Sequence, residues 1–290
     1  MNRTLIALLL TASLALGGCS DDDDAASTGP VTQEDVADVP ICAPDLLDCV
    51  GAEPVEAASN NAAPESSADY TVQDYLTYMI NDIDGMWTTW FTTNGFTEPM
   101  VGYEVINPGE TYTSTCNLGG QTVFDTSFAN AFYCSGDVLT GGDGVQYQGV
   151  IVLPETTFQK MWEGNIFESS SASVGDFAAA IITAHEFGHH VQDEMLIQLK
   201  AADPAGTYGP PNGKNQELIA DCFAGVWMNS AYYKNMLIDT DYQEALDALY
   251  AIGDDGTGPD PHGTPEERVA AVTAGYNSGQ PVSCIETYWQ

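Results

Sequence analysis

The chain is poor in positive charge. Its 290 residues include 6 Lys and Arg against 42 Asp and Glu, for a formal net charge of −36. Nucleic acid and anionic lipid surfaces both select basic patches, so this balance argues against either as a partner. Histidine is also scarce, with 4 residues in all. Seven cysteines are present, yet none forms a C-x-x-C pair, which disfavours a zinc ribbon. No internal repeat is evident. The apolar run from Leu5 to Leu16 is too short to span a bilayer comfortably.

That run has the layout of an export signal, with Arg3 ahead of it and Gly17-Gly18 behind it. Leu16-Gly17-Gly18-Cys19 resembles the lipobox of bacterial lipoproteins, in which the cysteine becomes the lipid-bearing N-terminus. The resemblance implies that residues 1–18 are a lipoprotein signal peptide and Cys19 the lipidated residue. It also implies a place in the bacterial cell envelope, exposed to the periplasm or exterior, touching the membrane through the lipid anchor only. Six cysteines remain without Cys19, an even number suited to an oxidising compartment. Cys42 and Cys49 bracket a short loop, and Cys116 and Cys134 flank a turn-rich stretch. Cys222 and Cys284 would tie a late helix to the C-terminus, and a buried free thiol at Cys222 is the alternative. Connectivity stays open.

Thirteen acidic residues and no Lys or Arg lie between Ser20 and Tyr70. With its Asp, Ala, Ser and Pro and few large apolar residues, segment 19–69 reads as an acidic flexible tether. Residues 70–290 form one domain, long enough for a real core. That domain is acidic too, with 29 acidic against five basic residues. Solubility in a salty environment accounts for this, since screening relieves self-repulsion. Calcium binding is the second reading: Asp254, Asp255 and Asp260 lie close together but lack EF-hand spacing.

From Thr71 to Thr93, Val72, Tyr75, Leu76, Met79, Ile80, Ile83, Met86, Trp87 and Trp90 recur at helical spacing, a core-facing stripe. From Met100 to Pro154 the pattern shifts to strands broken by Gly, Asn and Asp. Tyr147–Leu153 is the strongest strand, stopped by Pro154. A short helical stretch follows around Phe158–Trp162. Three long helices are expected at about 176–200, 216–234 and 242–252, and a last one opens at Thr264-Pro265-Glu266-Glu267, a capping box with proline at the first helical position. Helices around a small sheet make the fold class α+β.

Residues 184–191 read AHEFGHHV and hold three of the four histidines. His185, Glu186 and His189 form H-E-x-x-H. Residues four apart share a helix face, about 6 Å along the axis, so the two imidazoles can grip one Zn²⁺. Glu186 lies about 100° round the axis, placed to act as general base on a water that the metal acidifies. Phe177, Ala178, Ala180, Ile181 and Ala184 make the approach a buried helix, and burying two histidines and a glutamate without a metal is costly. Gly188 leaves space beside the ligands. His190 points off the metal face as a packing or supporting residue.

A catalytic zinc needs a third protein ligand and one open position. His262 and Glu217 are the two candidates. Glu217 opens a helix that packs through Leu218, Ala220, Phe223 and Trp227. Asp221, four residues on, is placed to accept the N–H of a liganding histidine and fix its tautomer. This E-x-x-x-D arrangement is that of the gluzincin branch of zinc peptidases.

AHEFGHHVQ, ELIADCFAGVW and HGTPEERV, in that order, resemble the bacterial family of predicted neutral zinc metallopeptidases, as do NAFYC around Cys134 and the closing Cys284. The likeness covers about Thr71 to Gln290. It implies a zincin-like fold over 70–290 and a single catalytic zinc on His185, His189 and Glu217, with Glu186 as base and a peptide or protein as substrate. Two features depart from the family: Ile219 and Glu267 stand where it usually has Gln, and a lipobox replaces a frequent membrane helix. His262, two residues before a helix N-cap, is assigned to the oxyanion of the tetrahedral intermediate. Arg268, the domain's only arginine, reads as a structural salt bridge. The Tyr147–Leu153 strand is expected at a sheet edge, where an extended peptide could add beside it. Two other functions remain open: a non-catalytic zinc-binding envelope lipoprotein, and a zinc amidase acting on cell-wall peptides.

Overall fold

Thr71 opens the first helix. Its hydroxyl accepts the Asp74 N–H while the Asp74 carboxylate accepts the Thr71 N–H, a capping box that sets the start of α1 (Val72–Thr93). The computed structural model describes residues 71–289 apart from 98–99, 143, 165–174, 203–209, 212, 239 and 256–260. The expected signal peptide with Cys19, the expected tether with Cys42 and Cys49, and Asp260 therefore lie outside the described residues. The apolar stripe of α1 is its buried face, and Trp87 meets Phe223 edge-on with ring centroids 5.1 Å apart. Asp82 anchors the outer side by accepting the Trp227 indole N–H at 2.9 Å and the Lys234 ammonium at 2.8 Å.

Five strands follow: β1 (Gly102–Ile106), β2 (Thr111–Leu118), β3 (Gln121–Asp125), β4 (Phe132–Thr140) and β5 (Gln146–Pro154). β2 and β3 form an antiparallel hairpin turned by Gly119 and Gly120, both at positive φ. The other three form a sheet in the order β1-β5-β4, with β1 parallel and β4 antiparallel to β5. β5 is therefore the central strand, paired on both sides, and the expectation of a sheet edge at Tyr147–Leu153 is overturned. The reason lies in its burial: every residue from Gly149 to Pro154 is buried, so both faces are covered. An unbroken apolar run is the mark of such a strand. The disulfide Cys116–Cys134 ties the hairpin to β4.

Seven helices occur among the described residues. After α1 come α2 (Glu155–Trp162), α3 (Asp176–Ala202), α4 (Lys214–Tyr233), α5 (Asp241–Ala251), α6 (Pro265–Ser278) and α7 (Pro281–Tyr288). Each expected helix is present within a few residues, while α7 was not anticipated. The architecture is mixed α and β with a helix-rich C-terminal half. From Phe177 to Gln192 every position of α3 is buried except His189, which is half-buried, as expected of a helix apolar on all sides and wrapped by others. A Cβ on Gly188 would sit 2.8 Å from the Ala220 carbonyl oxygen and 2.9 Å from its Cα. The space expected beside the ligands is thus filled by the backbone of α4. This close crossing carries the start of α4 toward the histidines. On its other side α4 meets α6 backbone to backbone at Gly225 and Gly275, and the Cys222–Cys284 disulfide pins α7 to it. Thr264 caps α6 with Glu267, and Pro265 takes the first helical position. No described helix is long and apolar enough to cross a membrane.

Candidate metal centre

The histidines of α3 and the first turn of α4 converge. His185 Nε2 and His189 Nε2 stand 3.2 Å apart. Glu217 brings Oε2 to 3.3 Å from His185 Nε2 and Oε1 to 3.6 Å from His189 Nε2. A tetrahedral zinc with bonds of about 2.0–2.1 Å keeps its donors roughly 3.3 Å apart, so this donor set fits the ion in number, chemistry and spacing. Two imidazole nitrogens facing each other across 3.2 Å cannot both carry a proton; a single shared proton, or a metal cation in its place, satisfies both.

Burial works against a charged His185, but the Asp221 and Glu217 carboxylates outweigh it and raise its pKa to about 10. Glu217 moves the other way: burial alone would raise it, and the two histidines pull it far below the usual carboxylate range. Without a metal, the site holds an ionised carboxylate against the His185 imidazolium, so a metal cation would take the place of that proton.

Asp221, fully buried one turn along α4, accepts from His185 Nδ1 at 2.8 Å. That bond leaves His185 Nε2 facing the cluster. Arg268 of α6 grips the same carboxylate, with Nε 2.8 Å from Oδ2 and Nη2 2.8 Å from Oδ1. Burial opposes ionisation of Asp221, and the Arg268 and His185 charges hold its pKa low. Arg268 is thus in a buried ion pair. On the α3 side, Gln192 donates to the Gln216 carbonyl at 2.9 Å and ties the two helices just ahead of Glu217.

His185, His189, Gln192, Glu217 and Arg268 line a cleft of about 700 Å³ together with Glu186, His262 and β4 residues Phe132, Tyr133 and Ser135. The Glu186 carboxylate is buried, and burial raises its pKa against the pull of His185 and His189. His262 sits on the cleft with its side chain half exposed; Asp254 accepts its backbone N–H at 2.9 Å and lies 3.2 Å from its Nδ1. His185, His189 and Glu217 are brought together, while His262 is held by Asp254 and is no member of that donor cluster. Buried His190 turns to the sheet, 3.2 Å from the Tyr133 hydroxyl, which donates to Asp193 at 3.1 Å. Tyr133 and Gln192 went unnoticed in the sequence. NAFYC held the only signal for Tyr133, a tyrosine beside a half-cystine.

A family model described as "putative neutral zinc metallopeptidase" matches residues 44–288. The chain belongs to that family. Among curated relatives, it is 40% identical over 124 residues to the uncharacterized protein YpfJ of Escherichia coli K12, covering 38% of this chain and 43% of that one. It is 37% identical over 136 residues to the uncharacterized protein Rv2575 of Mycobacterium tuberculosis H37Rv, covering 39% and 45%. The chain thus spans less than half the length of the curated relatives it matches. No solved structure matches it.

Proposed function

We propose that the chain is a zinc-dependent peptidase of zincin-like fold, hydrolysing peptide bonds in the cleft between β4 and α3. The carrying observation is the convergence of two imidazole nitrogens 3.2 Å apart with the Glu217 carboxylate, whose Oε2 lies 3.3 Å from His185 Nε2 and whose Oε1 lies 3.6 Å from His189 Nε2. Zinc held there by His185, His189 and Glu217 would supply Lewis acidity toward water and the scissile carbonyl. Glu186 takes a proton from the attacking water and passes it to the leaving amine as the C–N bond breaks. Its burial favours that role, since a carboxyl with a raised pKa is a better-matched base near neutral pH. His262 donates a hydrogen bond to the carbonyl oxygen as negative charge develops on it.

Substrate binding passes from β5 to β4. β4 is an edge of its three-stranded sheet, and residues 130–133 and 135 line the cleft. An extended peptide adding there by backbone hydrogen bonds would run across the cluster. The disulfides Cys116–Cys134 and Cys222–Cys284 support an exported protein, which agrees with lipid anchoring at Cys19 and a tether over 19–69.

Zinc content and cleavage of casein or a peptide library, compared between the wild type and Glu186→Gln, test the proposal. Both proteins should hold one zinc. Chelator-sensitive hydrolysis should fall by roughly 10²–10⁴-fold in the variant. A zinc-loaded wild type without chelator-sensitive hydrolysis would leave a zinc-binding lipoprotein. Cleavage confined to cell-wall cross-link peptides would instead make it an amidase.

A further inference from the structure

A second group of buried carboxylates lies where α3 meets α5, and it contains no histidine. Asp176 sits in the first turn of α3, and Asp241 and Glu244 in the first turn of α5. One oxygen from each lies within 4.8 Å of an oxygen from each of the others. The three residues are 6%, 1% and 4% exposed. Among the described residues, none of them forms an ion pair with a lysine, arginine or histidine.

Their hydrogen bonds do not neutralise them. Glu244 Oε2 accepts the Phe177 N–H at 3.3 Å, and Asp241 Oδ2 accepts the Ile238 N–H at 2.8 Å. Asp241 Oδ1 is fully buried and has no hydrogen-bond partner. The charges that act on this carboxylate are those of Asp176 and Glu244, both of its own sign. The Glu244 carboxylate also lies against Gly175, where any Cβ would collide with it. Three acidic side chains are thus gathered in a dry place, with one oxygen aimed at nothing that can satisfy it. The two helix N-termini that meet here favour negative charge, but each offers only about half a unit.

We propose that Asp176, Asp241 and Glu244 bind a hard divalent cation, Ca²⁺, that locks the start of α3 to α5. The donors are all carboxylate oxygens, with no imidazole or thiolate, a set that favours Ca²⁺ over zinc. Calcium bonds oxygen at about 2.3–2.6 Å, so oxygens on one ion lie up to roughly 4.8 Å apart, as these do. Mg²⁺ keeps several waters and demands short octahedral bonds, which a site buried this deeply does not suit. Asp176 precedes His185 by nine residues, about 13 Å along the helix axis. The ion's role is therefore structural: it fixes the base of the helix that carries the two histidines.

The competing state is one in which protons replace the cation. Burial, with the neighbouring carboxylates adding to it for Asp241 and Glu244, raises Asp176 to about 6, Asp241 to about 8 and Glu244 to about 7. Calcium binding at pH 7.5 would displace such protons.

The experiment follows Ca²⁺ content after gel filtration, and Tm against added CaCl₂, for the full chain and for Asp241→Asn/Glu244→Gln, with zinc content measured alongside. The wild type should retain one Ca²⁺ per chain and gain roughly 5–10 °C in Tm at a hundredfold excess over Kd. The double variant should keep its zinc, retain no Ca²⁺ and lose that gain. An acid-rich surface also binds Ca²⁺ weakly, so the difference between the two proteins is the signal. A wild type that retains no Ca²⁺, or a Tm response that survives in the double variant, overturns the proposal. A Tm that instead rises as pH falls from 8 to 5, with no Ca²⁺ effect, assigns the cluster to shared protons.

Discussion

Arg268 holds Asp221 by two parallel bonds of 2.8 Å, Nε to Oδ2 and Nη2 to Oδ1, with both side chains shut off from solvent. The pair joins α6 to α4, and its Oδ1 also receives the His185 imidazole. One arginine therefore lets a carboxylate stay ionised in the core, and that carboxylate orients a histidine of the candidate metal centre. Removing the guanidinium strands the charge of Asp221. Arg268→Met should cost about 3–5 kcal/mol of stability and weaken zinc binding roughly 10–100-fold. Denaturant unfolding and competition with a zinc chelator read the two effects. Arg268→Lys keeps the charge but loses the fork, so it should fall between. A methionine variant as stable as the wild type would show that the pair does not hold the fold.

Gly188 decides how closely α3 and α4 cross. An added Cβ would press on the Ala220 backbone at 2.8 Å and 2.9 Å, where no flexible side chain can yield. Gly188→Ala should cost about 1–3 kcal/mol and lower zinc affinity by moving Glu217 off the histidines. Gly85→Ala is the matched control: it lies on the exposed side of α1 with nothing within 4 Å of the new atom. That change should stabilise by about 0.5–1 kcal/mol. Equal effects of the two substitutions on Tm would refute the crossing argument.

The two disulfides among the described residues should differ in weight and in access. Cys222 and Cys284 are 62 residues apart, Cys116 and Cys134 only 18. Loop entropy then assigns about 4 kcal/mol to the first and about 3 to the second. Cys116 is partly exposed, while Cys134, Cys222 and Cys284 are buried. Mild reductant should open Cys116–Cys134 first, a sequence that alkylation and mass spectrometry will show. Simultaneous loss of both under native conditions would contradict it.

Asp137 of β4 is the polar clasp between β4 and the hairpin. It accepts the Tyr112 hydroxyl at 2.9 Å and, at 2.6 Å each, the Ser114 hydroxyl, the Thr115 hydroxyl and the Thr115 N–H. Burial opposes its ionisation, yet these donors hold its pKa below the usual range. A carboxylate with a depressed folded pKa adds stability above its unfolded pKa of about 3.9, and that stability is lost as pH falls through the folded value. Asp137→Asn should cost on the order of 1–3 kcal/mol at pH 6, and the gap should narrow below about pH 4. Tm curves of both proteins from pH 6 to 3 measure it; a constant gap would mean that ionisation does not matter.

Local signals in the sequence were sound where neighbours along the chain decide the outcome. Thr264 with Glu267 caps its helix as the spacing predicts. The four-residue step from His185 to His189 faces both imidazoles one way. Relations set by distant partners were harder to see. β5 was legible as a strand, but its central place depends on parallel pairing with Gly102–Ile106, more than forty residues earlier. Its four consecutive apolar residues Val150–Leu153 held the clue. Arg268 read as a salt bridge, but nothing local selects Asp221, 47 residues away, from so many acids. Asp241 and Glu244 carry no local mark, because their burial arises only when α5 packs on α3.

His262 remains the most consequential single test of the cleft. Its backbone and ring are both tethered to Asp254, so the imidazole sits at the cleft with Nδ1 engaged and Nε2 as the nitrogen left for substrate. A donor that acts only as charge develops on the carbonyl oxygen contributes to kcat more than to KM. His262→Ala should therefore lower kcat by roughly 10²–10³-fold, with KM little changed and zinc content equal to wild type. Asp254→Ala, which frees the ring without removing it, should give a smaller loss in the same parameter. Steady-state kinetics on one peptide substrate, paired with metal analysis, separate the alternatives. Loss of zinc in His262→Ala would make the residue a ligand, and an unchanged kcat would make it a loop histidine with no part in the reaction.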